Sequence, residues 1–63
     1  MADKVDINID TGNAVFEEAG TGREVARILR RLADQIEDWP GSSAFKINLR
    51  DANGNRVGFC EGR

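Results

Sequence analysis

Phe45-Lys46-Ile47-Asn48-Leu49-Arg50-Asp51-Ala52-Asn53-Gly54-Asn55-Arg56-Val57-Gly58-Phe59-Cys60 decides the fold. Phe45, Ile47 and Leu49 alternate with Lys46, Asn48 and Arg50, and Val57 and Phe59 alternate with Gly58 and Cys60, the period of half-buried strands. The turn between them can be typed by parity. A two-residue Asn53-Gly54 loop sets Arg50 opposite Val57 and Asn48 opposite Phe59, which throws large apolar residues onto the polar face. A three-residue Ala52-Asn53-Gly54 loop instead pairs Asp51 with Asn55, Leu49 with Val57 and Ile47 with Phe59. The spacing therefore predicts a type I turn closed by a G1 bulge, with Gly54 in the left-handed region. The same register sets Arg50 opposite Arg56 and Lys46 opposite Cys60, and turns Phe45 and Phe59 toward the core.

Upstream, Thr21-Gly22-Arg23-Glu24 reads as a capping box, and Val25, Ile28, Leu29, Leu32, Ile36 and Trp39 form one apolar stripe. A helix is expected from Thr21 to Trp39, ended by Pro40-Gly41, with Trp39 as a lid on the core. At the start of the chain Val5, Ile7 and Ile9 alternate with Lys4, Asp6, Asn8 and Asp10, giving a further strand. Thr11-Gly12-Asn13 supplies turn residues, and Ala14–Glu17 reads as a short return strand with Phe16 inward and Val15 outward.

The expected architecture is thus α+β: a ββαββ chain, one domain over residues 1–63, with a four-stranded antiparallel sheet and one helix on one face. Asp6, Asn8 and Asp10 complement Lys46, Asn48 and Arg50, which places the first and third strands side by side and gives the order 2-1-3-4. The other sheet face is expected to stay open.

Composition narrows the function. The 63 residues carry nine Lys+Arg against eleven Asp+Glu, no His, no Tyr and one Cys. A net basic domain, the usual mark of nucleic-acid binding, is absent. The common suppliers of acid/base catalysis, nucleophilic dyads and metal ligation are missing, so the chain reads as non-enzymatic, with no catalytic residue, metal or cofactor assigned. A lone Cys60 and a Met1-Ala2-Asp3-Lys4 start without a signal-peptide pattern point to the cytoplasm, and no apolar run is long enough for a membrane. Asp51-Ala52-Asn53-Gly54-Asn55 has oxygen-bearing alternation, but its glycine comes two positions too early for an EF-hand calcium loop. Gly20-Thr21-Gly22 precedes a helix, yet no Lys-Ser/Thr follows to make a phosphate loop.

Arg23, Arg27, Arg30 and Arg31 crowd the first half of the helix, and Asp34, Glu37 and Asp38 the second. That order opposes the helix macrodipole, so it needs either local ion pairs or an external partner. Arg30–Asp34 at i,i+4 and an approach of Glu17-Glu18 to Arg23 would make the helix face self-compensating. Otherwise the four arginines form a partner-binding surface, since the guanidinium fork suits carboxylate or phosphate. The leading expectation is a protein-binding module with these helix arginines as its contact surface. The alternative is a nucleic-acid accessory protein that adds Lys46, Arg50 and Arg56 to the helix arginines. The chain is expected as a monomer or a weak homodimer, paired through the edge of the second or fourth strand.

Arg27-Ile28-Leu29-Arg30-Arg31-Leu32-Ala33-Asp34-Gln35-Ile36-Glu37, followed by Leu49-Arg50-Asp51-Ala52-Asn53-Gly54-Asn55-Arg56-Val57-Gly58, resembles small uncharacterised proteins encoded by phages and prophages. Asp10-Thr11-Gly12-Asn13-Ala14 shares that character. The resemblance implies a mobile-element origin and an accessory role in a bacterial cytoplasm, with a host or phage protein as the expected partner, and it carries no activity or site residue.

Overall fold

Asn13 is where the chain departs from a hairpin. The computed structural model describes residues 3–63, so the Met1-Ala2 part of the start read for export lies outside the described residues. Strand β1 runs Val5–Ile9, where the alternation predicts it. Beyond it, Asp10 Oδ1 accepts a hydrogen bond from Gly12 N at 2.9 Å. Asn13, extended at φ −89° and ψ 166°, then accepts from Val15 N at 3.0 Å through its side-chain oxygen. That is helix N-capping, and the segment expected as a return strand is instead helix α1, Ala14–Ala19. Its composition, Ala-Val-Phe-Glu-Glu-Ala, suits a helix better than a strand. Phe16 still reaches the core and is fully buried.

Gly20, at φ 89°, separates α1 from α2, Thr21–Ile36. The expected capping box does not form: Gly20 is the N-cap, Thr21 lies inside the helix and no side chain caps it. Glu24 is buried and turns its carboxylate to other donors. The stripe does face the sheet, with Ile28 and Leu32 buried and Val25 and Ile36 packed beside them. The helix stops three residues short of Trp39, whose N–H bonds the Ile36 carbonyl at 3.0 Å. The Trp39 indole donates to Ser43 O at 3.0 Å and meets the Phe45 ring edge-on at 4.5 Å, so the residue closes one end of the core as a half-buried lid.

Strands β2, Phe45–Arg50, and β3, Arg56–Gly62, complete an antiparallel sheet ordered β1-β3-β2. The α+β class holds, but the sheet has three strands instead of four, and the order 2-1-3-4 is replaced by one with the last strand in the centre. The complementary charges of β1 and β2 do not meet, because β3 separates them.

The β2–β3 turn is as parity predicts. Asp51 N bonds Asn55 O at 2.9 Å, Gly54 N bonds Asp51 O at 3.0 Å, Gly54 has φ 84°, and Arg50 lies opposite Arg56. A second irregularity between Leu49 and Arg50 then changes the rest. Val57 becomes an extra residue, Leu49 lies opposite Gly58, Ile47 opposite Cys60 and Asn48 opposite Phe59. One inserted residue exchanges the faces of everything after it. Phe59 therefore lies on the open face with Lys46 Nζ 5.1 Å from its ring, and Cys60 is fully buried between Ile7 and Ile47, away from Lys46.

Packing explains the shift. The inner side of β3 carries Gly58, Cys60 and Gly62, and these small residues leave room on the central strand for the core layer of Phe16, Ile28 and Leu32. A Cβ on Gly62 would run into the Phe45 ring, and one on Gly58 into the Asn8 carbonyl. Phe16, Ile28, Leu32, Leu49, Val57 and Cys60 make the core, with Ile9, Val25, Ile36, Phe45 and Ile47 against it.

Candidate partner-binding surface

Two buried carboxylates fasten the β2–β3 turn to the helices, Glu24 from α2 and Asp51 through Asn13, the N-cap of α1. Glu24 accepts from Arg27 Nε at 2.7 Å, Arg27 Nη2 at 3.0 Å and Ala52 N at 2.8 Å. Asp51 accepts from Asn53 N and Asn55 N, both at 2.9 Å, from Asn55 Nδ2 at 3.2 Å and from Asn13 Nδ2 at 2.8 Å. The Arg27 guanidinium hydrogen-bonded to Glu24 holds that carboxyl below its ordinary range despite burial. Burial would raise Asp51, but the bonds from Asn55, Asn13 and Asn53 outweigh it and its carboxyl is also held low. Both are ionised and satisfied at neutral pH, which makes the cluster a structural clasp.

The four arginines expected as one surface therefore divide. Arg27 belongs to the clasp, with Nη2 reaching also to Arg50 O at 3.2 Å. Arg23, Arg30 and Arg31 are exposed. Among the described residues the ion pairs are Lys4–Asp6, Arg27–Glu24 and Arg63–Asp6, so these three arginines have no acidic partner within bonding distance. The expected Arg30–Asp34 pair and the approach of Glu17-Glu18 to Arg23 are not made.

Arg31 converges with Arg27, Gln35, Asn48 and Arg50 on a cleft of about 450 Å³ between α2 and the β2 end of the sheet. Gln35 and Asn48 were not singled out as helix-surface partners by sequence. The i,i+4 spacing of Arg31 and Gln35 is the only local signal, since the strand contribution arises from tertiary packing. Arg50 is anchored by donation from Nη1 to Gly54 O at 3.0 Å.

Family models, curated proteins and solved structures yield no match to this chain.

The open sheet face presents Asn8, Phe59 and Asn48 in one row, with Lys46 against Phe59 and Arg56 Nε donating to Asn48 Oδ1 at 3.0 Å. Asp6 and Glu61 neighbour that row and make the face mixed in charge. A second shallow cleft, about 590 Å³, runs from Phe59 and Arg56 to Asp10 and Asn13. Burial, aided by the nearby Asp6 charge, pushes the Cys60 thiol up, so it stays protonated at neutral pH. Among the described residues no group of three or more Cys, Asp or Glu gathers as a metal site, and no helix is long and apolar enough to cross a membrane.

Proposed function

We propose that the chain is a non-enzymatic protein-binding module of the accessory kind its phage-like helix and turn imply, and that its contact surface is the arginine flank of α2. The observation that carries this reading is that Arg23, Arg30 and Arg31 have no acidic partner among the described residues, on a helix whose charge order already opposes its dipole. An acidic protein patch would supply the missing carboxylates. Arg31 and Arg50 in the α2–β2 cleft give such a patch a bidentate anchor, and the Glu24–Arg27–Ala52 clasp keeps the cleft rigid.

The test is capture from bacterial lysate by the wild-type domain and by the triple variant Arg23→Glu, Arg30→Glu, Arg31→Glu, with Arg27 left intact so that the clasp survives. Loss of a protein partner in the variant alone supports the reading. Identical capture by both removes it.

A second reading, contact with single-stranded nucleic acid, is favoured by one observation: Phe59 lies on the open face beside Lys46, Asn48 and Arg56. Aromatic stacking flanked by cations is the chemistry of such binding. The reading requires that Phe59→Ala abolish oligonucleotide binding and that this binding weaken steeply with salt.

A further inference from the structure

Val5, at 44% exposure, Ile7, at 48%, and Leu29, at 38%, are the exposed large hydrophobic residues among those described. Val5 and Ile7 lie on the inner side of β1, in the rows of Gly62 and Cys60, yet α1 and α2 leave them uncovered. Leu29 lies about 200° around α2 from Arg27 and Arg31, on the flank turned away from β2. Val5 and Ile7 therefore leave apolar surface bare at the free edge of β1.

The hydrogen-bond parity of that edge is set at its end. Lys4 N donates to Arg63 O at 2.9 Å and Arg63 N to Lys4 O at 2.9 Å. Even-numbered residues of β1 thus bond β3, and Val5, Ile7 and Ile9 turn their N–H and C=O groups outward. An unpaired row of this kind is a template for a further strand.

We propose that the occupant is the β1 strand of a second copy of this chain, paired antiparallel about a two-fold axis at Ile7. That register makes Ile7 face the partner's Ile7 and Val5 face the partner's Ile9, all at positions whose backbone groups point to the edge. It also sets Lys4 against the partner's Asp10 and Asp6 against the partner's Asn8. Neighbouring registers fail on charge. With Asp6 on the axis, Asp6 meets its own copy, and with Asn8 on the axis, Asp6 meets the partner's Asp10. Lys4 is exposed, and its pair with its own Asp6 is long, at 3.8 Å, so its ammonium can turn to the partner's Asp10. The product is a continuous six-stranded sheet with both α2 helices on one face, and Val5 and Ile7 at its centre.

The opposite edge is less suited to the same pairing. Pairing β2 with itself about Asn48 sets Lys46 against the partner's Arg50, and the Arg50 carbonyl is already occupied by Arg27. This differs from the edge pairing expected from sequence, because residues 14–17 are helical and residues 57–61 are central.

The experiment is sedimentation equilibrium on the full chain from about 1 μM to about 1 mM, with amide hydrogen exchange at both ends of that range. The expected result is a reversible dimer in which the Val5, Ile7 and Ile9 amides gain protection with concentration and the Lys46 and Asn48 amides do not. Ile7→Lys, an exposed position whose change spares the core, abolishes dimerisation while circular dichroism is unchanged. Lys4→Glu weakens it roughly three- to tenfold through two symmetric pairs, and adding Asp10→Lys restores it. A monomer at every concentration, protection at β2 instead of β1, or a dimer indifferent to Ile7→Lys overturns the proposal. A dimer sensitive to Ile7→Lys but indifferent to Lys4→Glu overturns the register.

Discussion

The two edges of the sheet are built on opposite plans. At β2, α2 packs down, Leu49 is 4% exposed, and the Glu24 and Asp51 carboxylates lock helix, strand and turn together. At β1, Ile7 is 48% exposed and the polar groups that meet do so at the outer face, where Asp6 joins Lys4 and Arg63. Both strands have the same alternating apolar pattern. What distinguishes them is where one helix of 16 residues can lie over a sheet too wide for it to cover. Stability is concentrated at one edge, and the other keeps apolar surface and backbone groups available.

The sharpest way to break this contrast is a matched pair of truncations. Leu49→Ala is expected to cost about 2–5 kcal/mol. That is a large share of the roughly 3–9 kcal/mol a chain of this size commands. Ile7→Ala, half exposed, is expected to cost about 1 kcal/mol or less. Urea unfolding midpoints of the two variants decide it, and equal shifts would mean the β1 edge is as well packed as the β2 edge.

Gly62→Ala comes next, at about 1–3 kcal/mol, because the new methyl meets the Phe45 ring on the covered side of the sheet. Pairing it with Phe45→Leu, which removes the obstructing ring, should recover part of the loss. A neutral Gly62→Ala would show that Phe45 is free to move.

Acid tests the clasp. Glu24 and Asp51 are both held below their ordinary values in the folded state, so the unfolded chain binds more protons as pH falls. Their stabilisation is present in full above the ordinary carboxylate range. It is lost progressively as pH drops through that range and then through the lowered folded values. Denaturation midpoints measured from pH 7 downward should fall, and Glu24→Gln should flatten the slope while lowering the plateau. A slope unchanged by Glu24→Gln would assign acid sensitivity to other carboxylates.

The smallest effect belongs to the exposed arginines. Arg31→Ala should change stability by no more than about 0.5 kcal/mol, whereas Arg27→Ala, which leaves Glu24 buried without its guanidinium, should be clearly worse. Thermal melts of the two, compared directly, separate clasp from contact surface.

Local patterns made much of this legible. The α2 stripe, the β1 and β2 alternation and the Ala52-Asn53-Gly54 turn are short-range consequences of residue type, and the chain follows them. Asn13-Ala14-Val15 was ambiguous, because asparagine serves both turns and helix N-caps and an Ala-Glu segment tips the balance only weakly. The register of β3 was the larger departure. Counting large apolar residues favours Phe59 inside, but the inner side of a strand in the centre of the sheet, directly under a helix, rewards the smaller Cys60 and Gly62. Of the candidate surface, the exposed arginines were readable from helical spacing, while the capture of Arg27 by Glu24 and the arrival of Arg50 at the same cleft were not.

The sequence by itself determined which segments have a helical or strand period, where the β2–β3 turn falls and which side chains are charged, since each depends on neighbours a few residues apart. Tertiary structure alone decided that β3 is central, that Val57 is bulged and Phe59 outward, that Glu24 and Asp51 are buried together, and that β1 is left bare. Those outcomes depend on how much volume a single helix pair can place over three strands, a quantity set by contacts between distant segments and written in none of them separately.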